Sequence, residues 1–322
     1  MDGHEITRIR SVIIPLVILS FLACTANLYG QMSQIAISPD GAAIAVTYQK
    51  ANARFIYKIS LETHNAVRLT AAANGKESSP AFSADGQLVA YSYVPEKQSQ
   101  RIIVMNRDGS NPHHVAESNT ANLYATFAPN GKSIYFARSQ PPPLDHAWDL
   151  YSVETDGSNV QRLTHGLFYQ VSQPSLSPDA KSLAVITTGA DAHRQIAIYS
   201  LQSFEKPTRS LQPHVPNEAS HDPIIDYPVY MPDGKSILFM AASDGKRGLD
   251  YDIYRVNLAT GGLERLTNGN GIASGLKVSA DGKMALFLKW HKNWRGTLDA
   301  SELYVLDLQS LKLALFKIEG LK

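Results

Sequence analysis

Ten histidines and a single cysteine, Cys24, are the side chains best suited to reactive chemistry, and their spacing limits what they can do together. No two histidines stand in an H-x-H or H-E-x-x-H arrangement, the spacings that bring two imidazoles from one element onto one metal ion. His113 and His114 are adjacent, and neighbouring strand residues point to opposite sides, so they cannot share an ion. Acid and base stand together at Asp145-His146 and His221-Asp222, but no G-x-S-x-G supplies the exposed serine that would complete a Ser-His-Asp set. What remains is recognition. His146, His165, His193, His214, His221 and His291 are interleaved with Trp148, Phe168, Tyr169, Tyr227, Trp290 and Trp294. Such mixtures offer flat apolar faces for stacking and polar tips that fix orientation, as sugars, peptides and protein side chains require.

The elements that position these residues follow from a turn that recurs six times: Ser38-Pro39-Asp40-Gly41, Ser83-Ala84-Asp85-Gly86, Ala128-Pro129-Asn130-Gly131, Ser177-Pro178-Asp179-Ala180, Met231-Pro232-Asp233-Gly234 and Ser279-Ala280-Asp281-Gly282. The Asp or Asn falls at 40, 85, 130, 179, 233 and 281, so the spacings are 45, 45, 49, 54 and 48, matching a four-stranded propeller blade or slightly exceeding it. Proline presets φ at the first corner, and Asp-Gly or Asn-Gly tolerates φ > 0 at the last. Ala180 breaks the pattern, so its turn must avoid φ > 0 or carry strain. Each turn follows a short β-prone run, such as Gln34 to Ile37 or Val229 to Tyr230, and precedes an alternating strand such as Ile44 to Tyr48. A third strand recurs at Phe55 to Ile59, Ile102 to Met105, Asp149 to Val153, Gln195 to Tyr199, Asp252 to Val256 and Glu302 to Leu306. A short fourth strand ends in Arg68-Leu69-Thr70, Arg162-Leu163-Thr164 or Arg265-Leu266-Thr267. Asp149 and Asp252, recurring at third-strand starts, are expected to bond backbone or a neighbouring blade. The units predict an all-β fold, a six-bladed β-propeller of four-stranded antiparallel blades.

The run S-P-D-G-x-x-I-A-x, followed by D-I-Y-x-V and R-L-T, resembles the WD40-like propeller repeat of the TolB type, and six co-registered copies carry the resemblance over residues 34 to 318. TolB carries an α/β domain before its propeller, for which this chain has no room, and related prolyl-oligopeptidase-like enzymes need a hydrolase domain whose nucleophile elbow is missing here. The resemblance therefore implies fold and leaves activity open. Some propeller lyases hold a divalent ion on histidines near the central channel.

Lys and Arg number 30 against 29 Asp and Glu, a net charge of +1, so no global field favours nucleic acid as a partner. At 44% apolar residues the chain can fill a core between stacked sheets. Residues 1–30 read separately. Arg8 and Arg10 precede the apolar run Ser11 to Ala23, too short for a spanning helix, so the segment is expected to be a secretory signal cleaved after Ala26 or Gly30, with the propeller filling 31–322. Phe21-Leu22-Ala23-Cys24 also resembles a bacterial lipobox, departing from it at Phe21 and Leu22; the membrane is a partner only if Cys24 is lipidated. The protein is thus expected to be exported, periplasmic or at the cell surface, and monomeric. With Cys24 as the sole cysteine, no internal disulfide forms. Ring closure has two solutions: blade one packs on blade six, or residues 27–33 pair with the outer edge formed by Lys312 to Ile318.

In a propeller whose innermost strand is the first of each unit, the first-to-second turns share one face with the third-to-fourth turns. Here the former are minimal hairpins. The opposite face receives 141–148, 189–194, 212–227, 243–251 and 290–300. Binding residues gather on long loops held by a rigid scaffold, which makes His165, Tyr169, His193, His221, Tyr227, His291 and Trp294 the candidate site; a single loop histidine is by default only a solvated loop residue. The expected ligand is a protein, peptide or envelope glycan, bound without cofactor or catalysis. The alternative is a metal-assisted carbohydrate lyase or hydrolase using His165, His221 and His291 at the channel mouth. Asp244 to Asp252 lacks the EF-hand pattern and carries Lys246 and Arg247, so it reads as a solvated turn.

Overall fold

The computed structural model describes residues 31–321 apart from 72–74, 96–99, 145–146, 167, 189–192, 216–223, 246–247, 270 and 293–297. Every regular element among the described residues is a strand. Blade 1 comprises β1 (Gln31–Ile37), β2 (Ala43–Lys50), β3 (Ala53–Ser60) and β4 (Ala66–Arg68), and blade 2 comprises β5 (Gly75–Phe82), β6 (Leu88–Pro95), β7 (Arg101–Asn106) and β8 (His113–Glu117). Blade 3 holds β9 (Asn122–Phe127), β10 (Ser133–Ser139), β11 (Trp148–Glu154) and β12 (Gln161–Arg162); blade 4 holds β13 (Gln170–Leu176), β14 (Ser182–Thr188), β15 (Arg194–Ser200) and β16 (Arg209–Leu211). Blade 5 is β17 (Ile224–Tyr230), β18 (Ser236–Gly245), β19 (Gly248–Asn257) and β20 (Leu263–Arg265), and blade 6 is β21 (Ala273–Val278), β22 (Met284–Lys292), β23 (Leu298–Asp307) and β24 (Leu313–Leu315). Within each blade consecutive strands pair antiparallel; a single parallel bridge, Arg54 to Lys76, also links blades 1 and 2.

The core lies between blades. Six apolar clusters occupy the six junctions of the ring, for example Ile186, Ile198, Ile225, Phe239 and Tyr254 between blades 4 and 5. This burial, rather than any crosslink, holds the ring. Closure is by packing of blade 1 on blade 6, because Gln31 to Ser33 belong to the innermost strand β1 and all of blade 6 comes from the C-terminal end. Ser301 Oγ donates to the Met32 carbonyl (2.7 Å) and accepts from the Met32 N–H (2.8 Å), while the chain after β24 bridges Glu319 to Asn65 beside β4. The remainder of the alternative closure, residues 27–30, lies outside the described residues.

The repeated turn does what its residues predict. In blade 1 the Asp40 carboxylate accepts from the Ser38 hydroxyl (2.5 Å) and the Ala42 N–H (3.0 Å), and Gly41 sits at φ 67°. The serine hydroxyl repeats this at Asp85, Asp179 and Asp281, and it is the main reason that Asp40, Asp85, Asp179 and Asp281 are held below the ordinary carboxylate range. Ala180 adopts φ 58°, so blade 4 carries the strain instead of avoiding it.

Two strand boundaries differ from the sequence expectation. The fourth strands stop at Arg68, Arg162 and Arg265, and the Leu that follows each still donates its N–H to a third-strand carbonyl, of Ile56, Leu150 and Ile253. In blades 3 and 5 the reason is a buried clamp. Thr164 Oγ1 accepts the Leu150 N–H (3.0 Å) and donates to Asp149 (2.7 Å), and Arg162 closes on the same carboxylate (2.7 Å); Thr267, Asp252 and Arg265 repeat the pattern. Blade 1 has Phe55 where the clamp needs aspartate. There Arg68 lies over the Phe55 ring, 3.6 Å from its centroid, and the carboxylate is supplied by Glu77 of blade 2, which accepts from the Thr70 hydroxyl and the Ile56 N–H (3.2 Å). An intrablade bond has thus become an interblade one. The first strands also begin earlier than their β-prone runs, because each tolerates a bulge: between Met32 and Ile35, Ser78 and Ala81, Leu123 and Thr126, Ser172 and Ser175, Asp226 and Val229, and Ser274 and Lys277.

Candidate binding face

The bulges set the upper wall of the ring. Ser79, Tyr124, Gln173 and Tyr227 take φ of 54° to 58°, and glycine fills the same position at Gly275 with φ 76°. The side chains there reach the next blade: Gln34 Oε1 accepts the Ser79 N–H (2.7 Å), Gln173 Oε1 accepts the Tyr227 N–H (2.6 Å), and the Tyr227 hydroxyl is hydrogen-bonded to Ser274. Bulge residues therefore stitch inner strands together, and this rigidity fixes whatever the connections above them carry.

Around Tyr227 the wall is polar and half-buried, with Asp226 buried. Arg194, the first residue of β15, donates from Nη1 to both Asp226 carboxylate oxygens at 2.8 Å, and Tyr251 of β19 is bonded to the same carboxylate. Burial raises Asp226 against the opposing pull of Arg194. Burial and the adjacent Asp226 push the hydroxyls of Tyr227 and Tyr251 upward, so both stay protonated donors. Trp290 Nε1 donates to Ser274 Oγ at 2.8 Å, which makes Ser274 a junction between Tyr227 and Trp290. On the same strand as Ser274, burial pushes Lys277 down to about 8.

The expected site residues divide accordingly. Tyr227 is a strand residue in the bulge of β17, not a loop residue, and it packs toward blade 6. His291 is likewise on a strand, because β22 runs to Lys292; its Nε2 lies 2.8 Å from Glu302 Oε2 at the surface. His165, directly after the clamp residue Thr164, Tyr169, before β13, and His193, before β15, are exposed in the connections, Tyr169 at 51%. His221 and Trp294 lie outside the described residues. Among the described residues no three His, Cys, Asp or Glu side chains are placed to hold a metal ion.

Two expected long loops prove to be extended hairpins. Strands β18 and β19 remain paired out to Gly245 and Gly248, and β22 with β23 out to Lys292 and Leu298, so Asp244, Gly245 and Gly248 to Asp252 are strand residues. By contrast the first-to-second connections are five residues each, 38–42, 83–87, 128–132, 177–181, 231–235 and 279–283. Sequence reasoning missed Arg194, Asp226, Tyr251 and Ser274. The available signal was Gln173-Pro174 and Tyr227-Pro228: proline two residues before a first-strand end marks a bulge where a ladder donor is dispensable.

Comparison with known proteins agrees with this fold. No curated protein matches the chain. Among solved structures, TolB from Acinetobacter baumannii superposes with a TM-score of 0.66 at 16% identity, covering 92% of this chain and 66% of its own, so the chain spans just under two thirds of that protein. A putative TolB from Agrobacterium tumefaciens gives 0.61 at 17%, covering 80% of this chain and 86% of that one. Oligogalacturonate lyase from Vibrio parahaemolyticus gives 0.55 at 16%, covering 94% and 81%. Identities this low speak for fold alone. The TolB beta propeller domain model matches residues 30–225, more than half of the 322 residues, and the two remaining blades repeat the same strand pattern. The chain belongs to the TolB β-propeller domain family.

Proposed function

We propose that the protein is a non-catalytic, exported propeller that binds a protein, peptide or envelope glycan on the face of its long connections and projecting hairpins. The observation that carries this reading is the contrast between faces: uniform five-residue turns on one side, and on the other longer connections and hairpins that carry exposed Tyr169, His165, His193 and His291. Export rests on Arg8 and Arg10 before the apolar run to Ala23. The lyase reading has support in fold similarity to oligogalacturonate lyase, but the described histidines His165 and His291 sit on different blades without a ligand set. In a pull-down from envelope extract, Tyr169→Ala with His165→Ala is expected to weaken capture while circular dichroism stays unchanged. Lys132→Ala, in an opposite turn, is expected to leave it intact. Loss of capture in the Lys132 variant alone would place the binding face on the wrong side.

A further inference from the structure

The opposite face is not featureless. Between the five-residue turns of blades 4 and 5 lies an open cleft of about 560 Å³, lined by Asp179 and Asp233 from the two turns, Arg209 of β16, and Tyr230 at the end of β17. At the junctions of blades 1 with 2 and 5 with 6, a Cβ built on Gly86 or Gly282 would meet the preceding turn's proline ring at 3.4 Å; on Gly234 the distance to Pro178 is 3.9 Å, so this pair of turns stands further apart. Asp40 at the first junction is paired with Arg107 (3.3 Å). Asp179 uses Oδ1 for the Ser177 hydroxyl and the Lys181 N–H, and among the described residues no guanidinium closes on it.

Tyr230 supplies the second observation. It is only 7% exposed, yet its hydroxyl makes no hydrogen bond among the described residues while the residue lines the cleft. Burial, then Asp179, push that phenol up to about 12 against Arg209, which places it among the charged groups of the lining. The phenol ring itself is covered, so no flat face is offered to a sugar. Arg209 is already donating to the Leu258 carbonyl, and its one positive charge leaves the two carboxylates with an excess of one negative charge. Lys181, whose charge also reaches Asp179, stands outside the lining.

An ammonium has three donors and no acceptor, and the lining holds three acceptors that take no hydrogen bond among the described residues: Asp179 Oδ2, Asp233 Oδ2 and the Tyr230 hydroxyl. We propose that this cleft binds an alkylammonium group, held by the free carboxylate oxygens of Asp179 and Asp233 with the Tyr230 hydroxyl as third acceptor. The source is either a free amine or the lysine of a protein segment. The site lies on the face opposite the proposed binding face, so either reading can fail alone.

The test follows backbone amide shifts of the isotopically labelled full chain during titration with Nα-acetyl-lysine N-methylamide, its Nε-acetylated form, and n-butylamine. The lysine derivative is expected to shift the amides of Lys181, Gly234 and Lys235 saturably, with the acetylated form at least tenfold weaker. Asp179→Asn with Asp233→Asn keeps the side-chain oxygens that cap both turns and is expected to abolish the shifts; Tyr230→Phe is expected to weaken binding severalfold. Equal binding of lysine derivative and butylamine assigns the site to free amines, and tighter binding of the lysine derivative assigns it to protein segments. Equal binding of the acetylated and unacetylated probes, or unaltered binding in the folded double Asn variant, overturns the proposal.

Discussion

Glu77 is fully buried, and among the described residues only one of its carboxylate oxygens is served, by the Thr70 hydroxyl and the Ile56 N–H, while Oε1 has no partner. Burial therefore dominates and pushes the group from its ordinary 4.5 to about 7, the bonds to Thr70 and Ile56 and the charge of Arg68 opposing. The folded protein holds this proton where the unfolded chain has released it, so between pH 4.5 and about 7 the folded state binds more protons and stability falls as pH rises. Below that window the contribution is complete, and above it the loss is complete. About 2.5 pH units at 1.36 kcal/mol each corresponds to roughly 3 kcal/mol, or on the order of 6 °C for a chain of this length. Glu77→Gln retains an acceptor for Thr70 and Ile56 but has nothing to ionise. Urea unfolding of both proteins from pH 4.5 to 8 is expected to show wild type losing about 3 kcal/mol relative to the variant across the window; the difference cancels every titrating group they share. Parallel curves, or wild type gaining on the variant as pH rises, would refute the argument that this interblade carboxylate is forced to ionise in a dry site.

Two further outcomes follow from backbone and burial. Ala180→Gly is expected to raise stability by about 0.5 to 1 kcal/mol, because glycine relieves φ 58°, whereas Gly234→Val, whose Cβ meets only an ordinary contact with Pro178 but which sits at φ 68°, should cost about 1 to 3 kcal/mol; thermal melts of the two variants decide. Lys277 is held near 8 by burial, so the folded state sheds its proton before the unfolded chain does, and stability should rise between pH 8 and 10.5; Lys277→Met should remove that rise and gain up to about 3 kcal/mol at pH 7, read by denaturation at both pH values.

Local chemistry in the sequence determined the number of blades, the order of strands within each and the face that carries short turns. Each Ser-x-Asp-Gly turn is closed by its own residues, Ser38 to Asp40 and Asp40 to Ala42, and needs nothing distant. The matching of Asp149 and Asp252 with the Thr of Arg-Leu-Thr was visible as recurrence, though not as contact, because the clamp spans about fifteen residues. Tertiary structure decided everything that crosses a blade junction. Nothing near Phe55 announces that Glu77 will replace the missing aspartate, since the partner comes from the next blade. Tyr227 reads as a loop residue until the bulge places it in the inner strand, and Asp226, which meets Tyr251 within its own blade, acquires Arg194 only when blades 4 and 5 pack. The cleft beside Tyr230 is set by the spacing of two turns of equal length. That spacing depends on how two blades pack, which no single repeat encodes.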